Sequence, residues 1–135
     1  MNESNGSAPD TPIFSLSVSD AGNGRSVVAA SGELDIASAP QLLGAVAVLT
    51  QPGTGAIAID LSALTFIDSS GINALRAAVR SANARGVSAI VASPSQRVQR
   101  VLELVRLGDV IPLEHSLPAA LERLGEGGFN DPPAG

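Results

Sequence analysis

The sequence contains no cysteine and no lysine, and its only histidine is His115. Without cysteine, the chain cannot form a disulfide, a thiolate metal site or a cysteine nucleophile. Without lysine, it cannot form a phosphate-binding P-loop or a Schiff base. A single histidine cannot build a zinc cluster, and we expect His115 to be half-exposed in a loop. These absences exclude many enzyme classes, and we predict no metal site and no cofactor.

Aromatic and basic residues are also scarce. The chain has three phenylalanines, no tryptophan or tyrosine, and a net charge of −5 with a pI near 4.6. Because proteins that bind single-stranded nucleic acid use aromatic side chains along a basic groove, direct nucleic-acid binding is not expected. The start of the chain lacks the features of a signal peptide, and no apolar stretch approaches the length of a membrane span. We therefore predict a cytoplasmic protein that does not bind membranes.

The chain length of 135 residues fits one domain with an ordinary apolar core. Residues 1–12 and 125–135 are rich in Gly, Pro, Asn, Ser and Asp and have little to bury. Such segments cannot offset the entropy cost of ordering, so both are predicted to be disordered tails. Residues 13–124 form the predicted domain.

The strands are predicted from short apolar runs. Alternation from Ile13 to Val18 indicates a first strand, with Phe14, Leu16 and Val18 on one face. Asn-Gly at positions 23–24 supplies the positive φ angles of a hairpin turn, and Val27–Ala30 forms the returning strand. Further strands are predicted at Ala56–Leu61, Val87–Ala92 and Val110–Leu113.

Four helices are predicted from apolar stripes with helical spacing. Ser38 with Gln41, and Ser93 with Gln96, have the spacing of capping boxes, Pro94 fits the first helical position, and Ser116 can cap the last helix. We expect Gly86 and Gly108 to end the second and third helices. The predicted buried stripes are Leu42, Val46 and Leu49; Ile72, Leu75, Val79 and Ala82; Val98, Val101, Leu102 and Val105; and Ala120, Leu121 and Leu124.

A β-hairpin followed by alternating strands and helices predicts an α/β fold. Its sheet should be mixed but mainly parallel, with four to five strands and about four helices. The apolar stripes of the first three helices are expected to face one core.

The segment Asp68-Ser69-Ser70-Gly71 lies where the third strand gives way to the second helix. One interpretation is that Asp68 or a serine only caps the helix, since both residue types favour that position. Another is that an exposed serine hydroxyl enters a kinase active site, and that the helix N-terminus favours the resulting phosphate. The pattern of residues leaves both open. A weaker polar signal, Gly32-Glu33-Leu34-Asp35, is typical of loop carboxylates.

Three segments of the chain resemble the STAS domain of bacterial anti-sigma factor antagonists, in particular the sporulation type. They read SGELDIASAP at 31–40, IDLSALTFIDSSGINAL at 59–75 and SPSQRVQRVLELVRLGDVIPLEHSLPAAL at 93–121. The second segment is the most specific. The resemblance spans about residues 13–124 and implies a single STAS-like domain.

The resemblance implies that Ser69 is a phosphate acceptor and that Asp35 lies near the surface used by a kinase partner. The implied mechanism is partner switching, in which the unphosphorylated antagonist binds an anti-sigma factor. A serine kinase, often that same anti-sigma factor, phosphorylates the antagonist to release it, and a phosphatase resets the cycle. The residues expected to contact the partner are Asp35, Asp68, Ser69, Ser70, Gly71 and Asn73.

Two positions depart from the family pattern: Ser38 stands where Thr is common, and Asn73 where a small residue is common. The regulatory interpretation predicts that the protein is not an enzyme. Two alternatives stay open, a constitutive or stressosome-type scaffold and a small nucleotide-binding domain with its ligand at a strand end.

Overall fold

The computed structural model describes residues 14–51 and 53–125, which contain five strands and four α-helices. The predicted tails, 1–12 and 125–135, lie outside the described residues except for Gly125, which follows the last helix. The strands are β1 (Phe14–Gly22), β2 (Arg25–Leu34), β3 (Ala56–Ile67), β4 (Ser88–Ala92) and β5 (Leu113–Glu114). The helices are α1 (Ala39–Leu49), α2 (Ser69–Ala84), α3 (Gln96–Leu104) and α4 (Leu117–Leu124).

The strands form one sheet in the order β1-β2-β3-β4-β5. The β1–β2 pair is antiparallel, whereas β2–β3, β3–β4 and β4–β5 are parallel. This arrangement confirms the predicted mixed, mainly parallel sheet with an N-terminal hairpin. Asn23 and Gly24 form the hairpin turn with φ angles of 57° and 78°, the positive values that a tight two-residue turn requires.

The core has two parts, one on each face of the sheet. On one face, β3 presents Ile57 and Ile59 to a cluster that contains the buried residues of α1, α2 and α3. On the other face, Ala56 and Ala58 pack against α4. The prediction that the first three helices share one core is therefore confirmed, and α4 covers the opposite face.

One residue of the predicted helical stripes and one residue on the apolar face of β1 are exposed. Val18 has 51% of its surface exposed, because it lies in the outermost strand, and Val105 has 49% exposed. Val105 follows the last residue of α3, so it is not part of the helical stripe. Val101 is half-buried and packs at the margin of the core.

The capping-box prediction for α1 is wrong. Ser38 precedes the helix, but its side chain makes no cap hydrogen bond to the helix backbone. The Ser38 hydroxyl lies instead 2.8 Å from the carbonyl oxygen of Glu33, to which it donates. The position is 2% exposed, so this bond satisfies a buried polar group.

The start of α3 also differs from its prediction. Its N-cap is Ser95, not Ser93, and the Ser95 hydroxyl accepts a hydrogen bond from the N–H of Val98 at 3.4 Å. Ser93 has a φ of 52° and belongs to the preceding turn, so Pro94 is not the first helical residue. The predicted Ser116 cap of α4 is confirmed by its bond to the N–H of Ala119 at 3.1 Å.

Of the two glycines predicted to end a helix, one does so. Gly86 has a φ of 81° and follows α2, where the N–H of Val87 donates to the carbonyl of Ala82 at 2.9 Å. In contrast, α3 ends before Gly108 is reached. The left-handed residue there is Arg106, with a φ of 55°, whose guanidinium lies 2.8 Å from the carboxylate of Asp109.

The last strand is shorter and later than predicted. A 3-10 turn, Leu107–Asp109, follows α3, and β5 begins only at Leu113. The predicted strand Val110–Leu113 therefore overlaps β5 at one residue. Among the described residues, each helix is too short or too polar to cross a membrane.

β3 is longer than predicted and irregular. Its pairing with β2 shifts in register between Asp60 and Ala63 and again between Leu64 and Phe66. Each shift inserts one extra residue into β3, as in a β-bulge. The strand therefore continues to Ile67 without strict alternation, and its carboxyl end reaches the segment singled out in the sequence.

Candidate functional site

The site lies at the sheet edge where β2 and β3 end side by side. Leu34 and Ile67, the last residues of these parallel strands, are register partners. The N–H of Asp68 donates to the carbonyl of Leu34 at 3.4 Å. The turn after β2 and the first residues of α2 are therefore adjacent.

Asp68 is the N-cap of α2. It has extended backbone angles, and its Oδ1 accepts a hydrogen bond from the N–H of Gly71 at 3.0 Å. Its carbonyl oxygen accepts the N–H of Ile72 at 2.9 Å. The capping interpretation of Asp68 is confirmed, and because α2 starts at Ser69, both serines belong to its first turn.

Gly71 allows α2 to approach the end of β2 closely. A Cβ atom at this position would lie 2.4 Å from the carbonyl oxygen of Leu34 and 2.7 Å from a side-chain carbon of Ile67. Real Cβ atoms do not come so close to backbone, so only glycine fits. Gly71 is buried, and its place in the predicted partner-binding set corresponds to a packing position beneath the surface.

The turn after β2 is held by Asp35 and Ser38. Asp35 Oδ1 accepts the N–H groups of Ala37 at 3.0 Å and Ser38 at 3.1 Å. In return, the N–H of Asp35 donates to the Ser38 hydroxyl at 2.9 Å. This reciprocal arrangement fixes the turn by an Asx-type motif. The hydroxyl is the only group of the Ser38 side chain that takes part in these bonds, so the turn does not need the methyl group of the threonine that is common at this position.

Ser69 and Ser70 differ in accessibility. Ser69 is exposed at the first position of α2, whereas Ser70 is half-buried. Among residues 14–51 and 53–125, the Ser69 hydroxyl has no hydrogen-bond partner. The positive end of the helix dipole lies at this position, and it favours a negative group there.

Negatively charged side chains lie near Ser69, and a positively charged one lies farther along α2. Asp68 and Asp35 are half-buried carboxylates and Glu33 is exposed. Asn73 lies one turn beyond Ser69 and is exposed, as is Arg80 two turns later. The turn that contains Asp35 and the start of α2 from Asp68 to Asn73 therefore lie at one edge of the sheet, with Gly71 buried beneath the surface.

Two exposed apolar residues border the site and were not predicted from the sequence. Ile36, next to Asp35, has 77% of its surface exposed, and Phe66, just before the end of β3, has 43% exposed. Neither residue stands out in the sequence: Phe66 lies in a strand, where apolar residues are ordinary, and Ile36 is a single apolar residue in a turn. The exposure of both residues depends on how the ends of β2 and β3 and the following turns are arranged in space, which no local pattern in the sequence signals.

In the part of the chain that the structure describes, the site contains hydroxyl and carboxylate groups and no imidazole. The chain's only imidazole, His115, follows β5, two strands away from β3. The neighbouring Asp68 carboxylate is engaged by the backbone of its own helix. What the geometry presents is an exposed hydroxyl at the first position of a capped helix.

Comparison with known proteins gives a family match over most of the chain. The STAS domain family matches residues 19–120. An anti-sigma factor antagonist from Mycobacterium paratuberculosis is 33% identical, with a TM-score of 0.72, covering 86% of this chain and 96% of that one.

Two further solved structures share the fold at lower identity. A putative anti-sigma factor antagonist from Thermotoga maritima is 24% identical with a TM-score of 0.66, covering 81% of this chain and 92% of that one. The phosphorylated form of the Bacillus cell fate determinant SpoIIAA is 22% identical with a TM-score of 0.60, covering 81% of this chain and 98% of that one. With the family match, the sheet order and the strand-to-helix motif in agreement, this chain belongs to the STAS domain family.

Proposed function

We propose that this protein is an anti-sigma factor antagonist whose partner binding is controlled by phosphorylation of Ser69. The observation that carries the proposal is an exposed serine at the first position of α2, beside a carboxylate that caps the helix. The role is supported by the 33% identity to an anti-sigma factor antagonist. In this proposal the protein acts in the cytoplasm and is the substrate of a kinase and a phosphatase, not itself an enzyme.

Ser69 is the better acceptor of the two serines. A kinase must surround the hydroxyl that it phosphorylates, and Ser69 is exposed while Ser70 is half-buried against the helix start. Phosphopeptide mapping of protein taken from its own cells tests this assignment. Phosphate found on Ser70 with Ser69 unmodified would contradict it.

Phosphate on Ser69 should leave the fold intact. The cap bond from Asp68 to the N–H of Gly71 uses neither serine hydroxyl. The phosphate carries a charge of about −1.5 to −2, and the helix dipole stabilises such a group by about 0.3 to 1 kcal/mol at an exposed position. Repulsion from the adjacent Asp68 opposes this gain, so the net effect on stability is small.

The effect should fall on the interface instead. The proposed contact surface comprises the turn at Asp35, the first turn of α2 and Asn73, flanked by the exposed side chains of Ile36 and Phe66. A partner that covers this surface must bury the phosphate or place a group about 4 Å from it. One pair of like charges at that distance costs about 1 to 4 kcal/mol, and burial adds a desolvation cost.

Binding measurements on Ser69 variants test the proposal. The probe is the anti-sigma factor that the wild-type chain captures from its own cells, used as purified protein in calorimetric titration. Ser69→Ala should bind like the unphosphorylated chain and resist release by the kinase. Since about 1.4 kcal/mol is tenfold, Ser69→Glu should bind about ten- to a thousandfold more weakly.

Ser81→Glu is the matched control. Ser81 is exposed on the same helix and lies about 18 Å along the axis from Ser69. This control should bind like wild type, and both Glu variants should melt near the wild-type temperature. Equal affinities for Ser69→Ala and Ser69→Glu, or loss of the fold in Ser69→Glu, would refute a charge gate at Ser69.

A further inference from the structure

The outer margin of β1 has no strand partner in the part of the chain that the structure describes. Among the described residues, β1 pairs with β2 alone and forms one edge of the sheet. Edge strands of soluble proteins are usually short, charged, interrupted by proline or covered, because their free N–H and C=O groups accept another strand. β5, at the opposite edge, has two residues and is protected by its shortness. β1 has nine residues, contains no proline, lysine or arginine, and carries Asp20 as its single charge.

An exposed apolar side chain lies at the centre of this strand. Val18 is the middle residue of Phe14–Gly22 and has 51% of its surface exposed. It shares a face with Leu16, which packs against the core. Within residues 14–51 and 53–125, the hairpin therefore presents an exposed valine beside backbone groups that pair with no other strand.

We propose that β1 pairs with β1 of a second copy of this chain, antiparallel and about a two-fold axis at Val18. This pairing would join two five-stranded sheets into one continuous sheet. It is independent of the regulatory role proposed above. The carboxyl ends of β2 and β3, where Ser69 lies, stay accessible in both copies.

The sequence of β1 is complementary to itself in this register. Val18 lies opposite Val18 of the second copy, Ser17 opposite Ser19, and Leu16 opposite Asp20. The valines form an apolar cross-strand pair and the serine hydroxyls can hydrogen-bond, both of which stabilise antiparallel pairs. The two Asp20 carboxylates do not face each other, so no pair of like charges opposes the contact.

The contact is small. Two paired strands with one apolar side-chain pair between them bury less surface than a stable interface, which typically buries about 1,200 Å² or more. The dimer should therefore be reversible and depend on protein concentration. Sedimentation equilibrium of the full chain should show a mass that rises with concentration from 13.5 kDa toward twice that value.

Val18→Lys tests the position of the axis. It places two like charges directly opposite each other, so this variant should stay monomeric at concentrations where wild type is dimeric. Val110→Lys is the matched control, because Val110 is 56% exposed but lies beyond α3, away from β1. It should dimerise like wild type. Circular dichroism spectra identical to wild type would show that both variants keep the fold.

A cysteine at the axis provides a second, geometric test. The native chain has no cysteine, so Val18→Cys introduces a single thiol that faces its own copy. Opposite residues of an antiparallel pair have Cα atoms about 4.5 to 5.5 Å apart, within the range of a disulfide. A mild oxidant should cross-link Val18→Cys into a covalent dimer and leave Val110→Cys monomeric.

Three results would overturn the proposal. One is a wild-type mass of a single chain at every concentration up to the solubility limit. Another is equal association or equal cross-linking of the position 18 and position 110 variants. The third is assembly beyond a dimer, because an isologous strand pair closes with two copies. Residues 1–13 are present in all samples, since the full chain is used throughout.

Discussion

Gly71 shows how a single residue couples the site to the fold. The first turn of α2 lies against the last residue of β2, with 2.4 Å between the position of a Cβ at Gly71 and the Leu34 carbonyl oxygen. Because the neighbour is backbone and not the tip of a flexible side chain, it cannot easily move aside. The glycine of the motif therefore fixes the distance between α2 and the turn that contains Asp35.

Gly71→Ala should destabilise the protein. Overpacking of this kind costs about 1 to 3 kcal/mol, and the backbone contact places Gly71 toward the upper part of that range. The measurement is urea unfolding followed by circular dichroism.

Gly44→Ala is the matched control for this prediction. Gly44 lies within α1, and no atom lies within 4 Å of the position its Cβ would take. The same substitution should stabilise the protein there by about 0.5 to 1 kcal/mol, because glycine is unfavourable inside a helix. Changes of equal sign at the two positions would contradict the close approach at Gly71.

At the scale of elements, residues of α3 that the apolar pattern of the sequence groups together differ in how deeply they are buried. Its predicted stripe includes Val98, Val101 and Leu102, of which Val98 and Leu102 are fully buried and Val101 is half-buried. Leu104, on the other side of the helix, has 83% of its surface exposed. The helix therefore provides three grades of burial within seven residues.

Aspartate substitutions along α3 should follow this gradient. Val98→Asp places a carboxylate in a closed apolar core and should cost on the order of 3 kcal/mol or more. Val101→Asp should cost less, since the carboxylate can turn toward water. Leu104→Asp, as the control, should change the stability by no more than about 0.5 kcal/mol. Thermal and urea unfolding of the three variants measure the order, and a large loss at Leu104 would contradict the orientation of α3.

Most of the element order could be predicted from the sequence, because helical and strand periodicities report which faces are buried. The errors occur where a tertiary contact overrides a local signal. The Ser38 hydroxyl bonds to Glu33 and not to the helix backbone, and the second half of β3 loses its alternation at two bulges. A local pattern carries no information on either contact.

The candidate site could be predicted only in part. The polar residues at 68–70 stand out in the sequence because short polar residues cluster at a change from strand to helix. The exposure of Ile36 and Phe66 depends on how the ends of β2 and β3 are arranged in space. Apolar residues are ordinarily expected inside, so composition alone could not place these two at the surface.

At the scale of the whole molecule, Arg25 of β2 joins the β1–β2 hairpin to α4. Its guanidinium donates to the carbonyl of Leu121 in α4 at 3.0 Å. It also donates to the carbonyls of Ala21 and Gly22 in β1, each at 3.1 Å. One side chain thus ties the hairpin to the helix that covers the second part of the core.

Arg25→Ala should lower the free energy of unfolding by about 2 kcal/mol, because hydrogen bonds from a charged donor to three carbonyls are lost at a partly buried position. Arg25→Lys should recover only a fraction, since an ammonium group cannot reproduce the planar fork of donors. Arg80→Ala, at an exposed position on α2, is the control and should change stability by no more than about 0.5 kcal/mol. Equal losses at Arg25 and Arg80 in urea unfolding would refute the role of this contact.

The order of the strands in the sheet has a consequence for synthesis on the ribosome. Because spatial order equals chain order, each strand can pair with the strand made just before it, without waiting for later sequence. The exception is the face formed by Ala56, Ala58, Ile90 and Ala92, whose cover, α4, is the last helix to emerge. A nascent chain can thus assemble its sheet progressively, but it exposes one apolar face to water, and to chaperones, until the final helix leaves the exit tunnel.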